Sequence, residues 1–118
     1  EQTAQKLIDD AKLLASLGVC AIVLECVPHS LAEKITTAIP VPTIGIGAGN
    51  ACDGQVLVVN DMLGMSNGFT PKFVKKFADL YGQIVTAVTE YKEEVQQRTF
   101  PDEEHSFKME QTVLEKLY

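Results

Sequence analysis

Six apolar residues in unbroken succession, Val19-Cys20-Ala21-Ile22-Val23-Leu24, end on a glutamate, Glu25. The run is strand-sized. A strand that does not alternate apolar with polar is one buried on both faces, the habit of parallel sheets. Its flanks agree. Leu7, Ile8, Ala11, Leu14 and Leu17 recur at one-face helical spacing, predicting a helix over 3–17. Gly18 then stops it, because glycine enters the left-handed conformation cheaply. Downstream, Ser30 and Glu33 read as a capping box opening a short helix through Ile39, with Leu31, Ile35, Ala38 and Ile39 inward. Pro40 and Pro42 prevent its continuation. Thr43 to Ile46 is the next strand, and Gly45, Gly47 and Gly49 let backbone or ligand come close at its end. Helix, strand, helix, strand is an α/β order, in which the second strand lies parallel to the first.

The rest of the chain is less regular. Gln55 to Val59 is a third strand candidate, but the short connection before it is well below the dozen residues a parallel crossover usually takes. It is either an abbreviated crossover or a buried loop. Thr70-Pro71 is a helix entry. Phe73, Phe77, Leu80, Ile84, Val88, Tyr91 and Val95 keep helical spacing to about Arg98. Gly82 interrupts that pattern, so residues 72–78 are helical or extended. From Glu90 onward there are eight acidic and four basic residues, ending in a polar tail with a weak Val113, Leu114, Leu117 pattern.

Composition bounds the function. The 118 residues fit one domain, and 46% apolar with 22% charged excludes disorder. A net charge of −6 supplies no basic footprint for nucleic acid. No apolar run approaches the roughly 18 residues of a membrane span. Three cysteines, Cys20, Cys26 and Cys52, are too few and odd in number for a secreted disulfide framework, which predicts a cytoplasmic protein. The sequence starts Glu1-Gln2-Thr3 rather than with Met, and the expectation is a processed start or a piece of something longer.

Glu25 is the leading candidate for chemistry. It ends an apolar strand and shares a strand face with Val19, Ala21 and Val23. Ligands of parallel α/β folds bind at the carboxyl ends of strands. A partly desolvated carboxylate there is suited to proton transfer; the other reading is a structural carboxylate, paired with a lysine or capping a helix. Gly45-Ile46-Gly47-Ala48-Gly49-Asn50 is not spaced as a dinucleotide motif and opens no helix, so it reads as a tight strand-end loop lining a pocket. Cys26-x-x-His29 has metal-ligand spacing without the other two ligands. The expectation is a buried thiol and a surface histidine. His105 has no partner visible in the sequence. Asp53 and Asp61 read as metal ligands, proton acceptors or turn residues, and Lys72, Lys75 and Lys76 as a solvated face.

Four ordered segments together are more specific than any one of them: Val23-Leu24-Glu25-Cys26-Val27-Pro28, Ile44 through Asn50, Asp53-Gly54-Gln55-Val56-Leu57-Val58 and Glu104-His105-Ser106-Phe107. In that order they resemble ketopantoate hydroxymethyltransferase, also called 3-methyl-2-oxobutanoate hydroxymethyltransferase, from the first helix to about Phe107. The resemblance implies the C-terminal part, about three strands and their helices, of a (β/α)8 TIM barrel of the phosphoenolpyruvate/pyruvate type. Residues 1–107 would be a segment of that single domain and 108–118 a polar tail. It implies transfer of a hydroxymethyl group from 5,10-methylenetetrahydrofolate to 3-methyl-2-oxobutanoate, giving 2-dehydropantoate for pantothenate and coenzyme A synthesis. Glu25 matches the family's proton acceptor.

The resemblance further implies that Ile46 walls the substrate's branched end, or else merely packs the barrel. It implies a Mg2+ ion whose ligands lie in the N-terminal half, with none in this segment. A homo-oligomer is expected, and a chain inactive without that half. The family commonly has His-Asp where this chain has Asn60-Asp61, which leaves position 60 without an assigned role. The rival readings are a non-catalytic α/β small-molecule-binding module with its pocket at Gly45–Asn50, and an assembly element completing a partner's sheet.

Overall fold

A computed structural model describes residues 2–117. The chain divides into two units, Glu1–Asp79 and Leu80–Tyr118. Residues 1 and 118, at the outer limits of the expected barrel segment and tail, lie outside the described residues.

The first unit is mixed α/β. Helix α1 (Gln2–Ser16) leads to strand β1 (Ile22–Glu25), then helix α2 (His29–Ala38), strand β2 (Thr43–Ile46), a two-residue strand β3 (Gly54–Gln55) and the short helix α3 (Val59–Met62). The sheet order is β1-β2-β3 and both pairings are parallel. Gly18, at φ 85°, follows the last turn of α1, as its position in the sequence predicts. Ile22 and Leu24 turn to the helices and join Ala11, Ala32, Ile35 and Ile39 in the core. The other face of β1 is open: Val23 is 61% exposed. Within the first unit the apolar run is therefore covered on one face, not on both. Apolar content registers a buried destination but not which segment supplies the cover.

Helix α2 begins two residues earlier than the capping-box reading requires, at His29 with Pro28 as its N-cap. The Pro28 carbonyl accepts from the N–H groups of Leu31 (2.9 Å) and Ala32 (3.0 Å), and no side chain caps the helix. Ser30 is thus already inside the first turn. Proline, with its fixed φ, sets the start in place of the hydroxyl.

The β2-to-β3 connection is an abbreviated crossover. It returns along β2 without a helix, and three local features allow it. Gly45 has no side chain, and a Cβ built there would sit 3.0 Å from Cys52 Sγ, so the returning chain lies on the face that a helix would otherwise cover. Asp53 fastens the far end. Its Oδ2 accepts from the Thr43 backbone N–H (2.8 Å) and from the Thr43 hydroxyl (3.1 Å), while its own N–H donates to Thr43 Oγ1 (3.3 Å). Gln55 Nε2 donates to the Gly49 carbonyl at 2.8 Å and holds the middle. Thr43 is wholly buried, and its hydroxyl also lies 2.8 Å from that of Thr36 on α2.

The third strand is shorter than expected. Pairing covers Gly54 and Gln55, with one further bond from the Val56 N–H to the Gly45 carbonyl (3.0 Å). Val59, read as strand, instead opens α3, where Met62 and Leu63 donate back to Val58 and Val59. The helix entry at Thr70-Pro71 is also corrected. Only one turn forms, Val74 N–H to the Pro71 carbonyl (3.0 Å), and the Phe77 N–H then bonds the Met62 carbonyl (2.7 Å). Tertiary bonding draws residues 72–78 away from helix despite their spacing.

In the second unit, helix α4 (Tyr81–Gln97) starts just before Gly82 and is followed by a helical turn, α5 (Gln111–Leu114). Arg98 adopts the left-handed conformation and donates to Val95, and Thr99 donates to Glu94, closing the last turn of α4 as a Schellman motif. Among the described residues, no helix is long and apolar enough to cross a membrane.

Candidate functional site

Strand alternation and register bring the two site candidates together. Glu25 pairs with Ile46 and Val23 with Ile44, so these four side chains share the open face of the sheet, with Glu25 and Ile46 at its carboxyl end. The ladder continues one bond further, from the Cys26 N–H to the Ile46 carbonyl at 2.9 Å. Glu25 is exposed, and among the described residues its carboxylate has no hydrogen-bonding or ion-pairing partner. The expected desolvation is thus not supplied within the first unit, where this face of the sheet is open.

Cys26 departs from expectation too. It is exposed, and its φ of 53° is one of two positive values at non-glycine residues among the described residues. Such backbone carries strain and is held by its surroundings. His29 opens α2 on the surface, as expected. A Cβ at Gly49 would come within 2.5 Å of His29 Cβ, and one at Gly47 within 2.9 Å of Phe73 Cγ. The glycines of the loop therefore serve close approach: His29 packs on one and Phe73 on the other.

Two clefts adjoin this loop. One, of about 710 Å³, is bounded by Cys26, His29, Asn50 and Lys72. The other, of about 570 Å³, is bounded by Ile46, Val56, Leu57, Met62 and Phe77. Gly47, Gln55 and Phe73 line both. Phe73 and Lys72 were hidden in the sequence because helical spacing placed the first in a helix stripe and the second among solvated lysines. The interruption of helix-forming signals at Gly82 is the one clue that the segment serves another purpose.

Of the aspartates, Asp53 is a structural anchor. The Thr43 backbone N–H, and after it the Thr43 hydroxyl, hold its carboxyl below the usual aspartate value. Asp61 lies within α3. In the second unit His105 does have a partner: its Nδ1 lies 2.7 Å from Asp102 Oδ1. That contact, followed by the His105 backbone N–H, lowers the Asp102 carboxyl value. Among the described residues no group of three or more histidine, cysteine, aspartate or glutamate side chains is placed to hold a metal ion. These residues do not by themselves fit magnesium.

A parallel sheet with a carboxylate at one strand end, a glycine loop at the next and clefts beside them marks an α/β protein of the kind that handles small molecules at the carboxyl ends of its strands. Residues 1–103 match the family model described as ketopantoate hydroxymethyltransferase, and the chain belongs to that family. Three relatives carry the name 3-methyl-2-oxobutanoate hydroxymethyltransferase. The protein from Syntrophomonas wolfei is 60% identical over 117 residues, and that from Carboxydothermus hydrogenoformans 58% over 117, each covering 99% of this chain and 42% of the relative. The protein from Clostridium novyi is 58% identical over 118 residues, covering 100% of this chain and 43% of the relative. The chain thus spans less than half the length of the curated relatives it matches.

Proposed function

We propose that this chain is the C-terminal part of a ketopantoate hydroxymethyltransferase. In the whole protein its sheet would belong to a (β/α)8 barrel, with residues 1–107 in that domain and 108–118 a tail. The reaction joins the methylene carbon of 5,10-methylenetetrahydrofolate to C3 of 3-methyl-2-oxobutanoate, with water supplying the hydroxyl oxygen, and yields 2-dehydropantoate and tetrahydrofolate. Glu25 accepts the C3 proton, the C–H bonding pair passes into the enolate, and C3 then bonds to the one-carbon unit as one of its bonds to folate nitrogen gives way; water replaces the other, and tetrahydrofolate leaves with both nitrogen electron pairs. Ile46, its neighbour in register, faces the branched carbon end of the substrate. The single observation that carries the reading is this pairing of Glu25 and Ile46 at the carboxyl end of an open sheet face, in a chain of this family.

The open face also carries the proposal that the segment is inactive alone: the rest of the barrel would cover Val23 and Glu25 and exclude water. Magnesium, which would polarise the 2-oxo group, belongs in this proposal to residues outside the chain. The whole enzyme is a cytoplasmic homo-oligomer. The test uses the full-length protein, with deuterium exchange at C3 of 3-methyl-2-oxobutanoate followed by NMR. Glu25→Gln is expected to slow exchange and transfer by roughly 10²–10⁴-fold. Unchanged exchange and turnover removes Glu25 from proton transfer, and magnesium-dependent turnover by the isolated 118 residues overturns the proposed inactivity.

A further inference from the structure

Glu25 and Ile46 stay side by side only while the end of β2 keeps its course, and the chain that follows is soft. Gly47 and Gly49 both hold positive φ, 66° and 82°, where glycine has many alternatives of similar energy. The main-chain ladder ends at the first peptide of this loop, with the Ile46 carbonyl accepting from the Cys26 N–H at 2.9 Å. What holds the next residue is a side chain. A Cβ built on Gly47 would lie 2.9 Å from Phe73 Cγ and 3.0 Å from both Phe73 Cβ and Cδ1, so Phe73 rests directly on that glycine. Phe73 is held in turn. The Val74 N–H donates to the Pro71 carbonyl at 3.0 Å, and the Phe77 N–H donates to the Met62 carbonyl of α3 at 2.7 Å. Gln55 Nε2 grips the far end of the loop through the Gly49 carbonyl at 2.8 Å. A loop of permissive backbone is thus fixed by side chains from the segments after it.

Resting on the function proposed above, we propose that Phe73 is a positioning residue: wedged on Gly47, it fixes the Ile46–Gly47 peptide and so holds the Ile46 side chain against the branched end of the 2-oxo acid beside Glu25. Phe73 touches no reacting atom in this role and acts through Ile46, which pairs with Glu25 in register. The glycine at position 47 has its reason here, because any side chain would displace the wedge. The role does not use aromaticity. The three atoms that meet Gly47 are Cβ, Cγ and Cδ1, and leucine carries all three. A wall that can move gives up part of its preference for a substrate with one more methyl, and a substrate that can tilt loses alignment with its base.

The experiment uses the full-length protein and deuterium exchange at C3, measured for 3-methyl-2-oxobutanoate and for 2-oxobutanoate, which lacks one C3 methyl. The readout is the ratio of the two kcat/KM values, branched over straight. That ratio does not depend on how much of a preparation is folded, so a merely structural loss leaves it unmoved. Phe73→Ala is expected to lower the ratio by roughly three- to tenfold and to slow exchange of the branched acid by up to roughly 10²-fold. Phe73→Leu is expected to restore both. Phe73→Val keeps Cβ and Cγ without Cδ1 and is expected to fall between; it carries the test if the alanine variant does not fold. A wild-type ratio in Phe73→Ala, or in Phe73→Val in that event, overturns the positioning role even where the overall rate has dropped. A leucine variant as impaired as alanine overturns it as well, because the ring and not the wedge is then what matters. A wild-type protein that exchanges no C3 proton removes the proposed function, and the positioning role with it.

Discussion

Replacing Thr43 with valine removes one oxygen from the most completely buried polar residue of the first unit. That oxygen donates to Asp53 Oδ2 at 3.1 Å, accepts from the Asp53 N–H at 3.3 Å, and lies 2.8 Å from the Thr36 hydroxyl. Thr36 keeps its bond to the Ala32 carbonyl (2.8 Å), and Asp53 keeps the Thr43 N–H (2.8 Å). Two bonds to Asp53 are lost outright, at about 0.5–1.5 kcal/mol each. The added methyl returns about 0.8 kcal/mol at most. The net destabilisation is therefore between about 0.2 and 3 kcal/mol, centred a little above 1, read as a lower urea midpoint at unchanged slope.

The same substitution has a pH signature. Asp53 is held below its ordinary value first by the Thr43 N–H and then by the Thr43 hydroxyl. A lowered folded-state value stabilises the fold above the unfolded value, near 3.9 on the reference scale, and that stability is lost as pH falls through the folded value. The advantage of threonine over valine should be full at pH 7 and shrink on the acid side of about pH 4. Thr43→Ser, which keeps the hydroxyl, should retain this acid limb. An unchanged urea midpoint at pH 7, or a deficit equally large at the acid end, refutes the reasoning.

Two other outcomes are expected. Gly49→Ala should lower the thermal midpoint more than Gly18→Ala, because both positions have positive φ but only the first meets a neighbour, His29 Cβ at 2.5 Å; equal losses would refute the close packing of the loop on α2. In the second unit, the Asp102 carboxyl should titrate by NMR below the usual aspartate range and move up in His105→Ala. Its stabilising contribution then holds above the ordinary value and fades as pH falls through the lowered one. An unmoved Asp102 titration would show that the 2.7 Å contact with His105 does not persist in solution.

The α1-β1-α2-β2 order was legible because each element announces itself locally: a 3.6-residue stripe, a glycine stop, an apolar run, a proline break. Parallel pairing then placed Glu25 beside Ile46, which the sequence reached only as two separate strand ends. What escaped is tertiary. Val59 reads as strand by composition, yet the chain turns at Val58 and helix begins. Phe73 and Phe77 keep helical spacing, yet one seats on Gly47 and the other is tied to Met62 through its backbone. Cys26 reads as a buried thiol because its neighbours are apolar, yet it stands where the strand has ended and φ has turned positive. The exposure of Glu25 follows from a sheet face that the first unit leaves open, so no local pattern could express it.

The helix-free return from β2 to β3 has a consequence for how the sheet assembles. Partners Ile44 and Gly54 are ten residues apart along the chain, whereas Val23 and Ile44, joined across α2, are twenty-one apart. Closing the shorter loop costs about 0.7 kcal/mol less in chain entropy. Parallel neighbours are ordinarily a slow, long-range contact. Here one of the two pairings is nearly as local as a hairpin, so β2 and β3 can meet early and give β1 a formed edge on which to add.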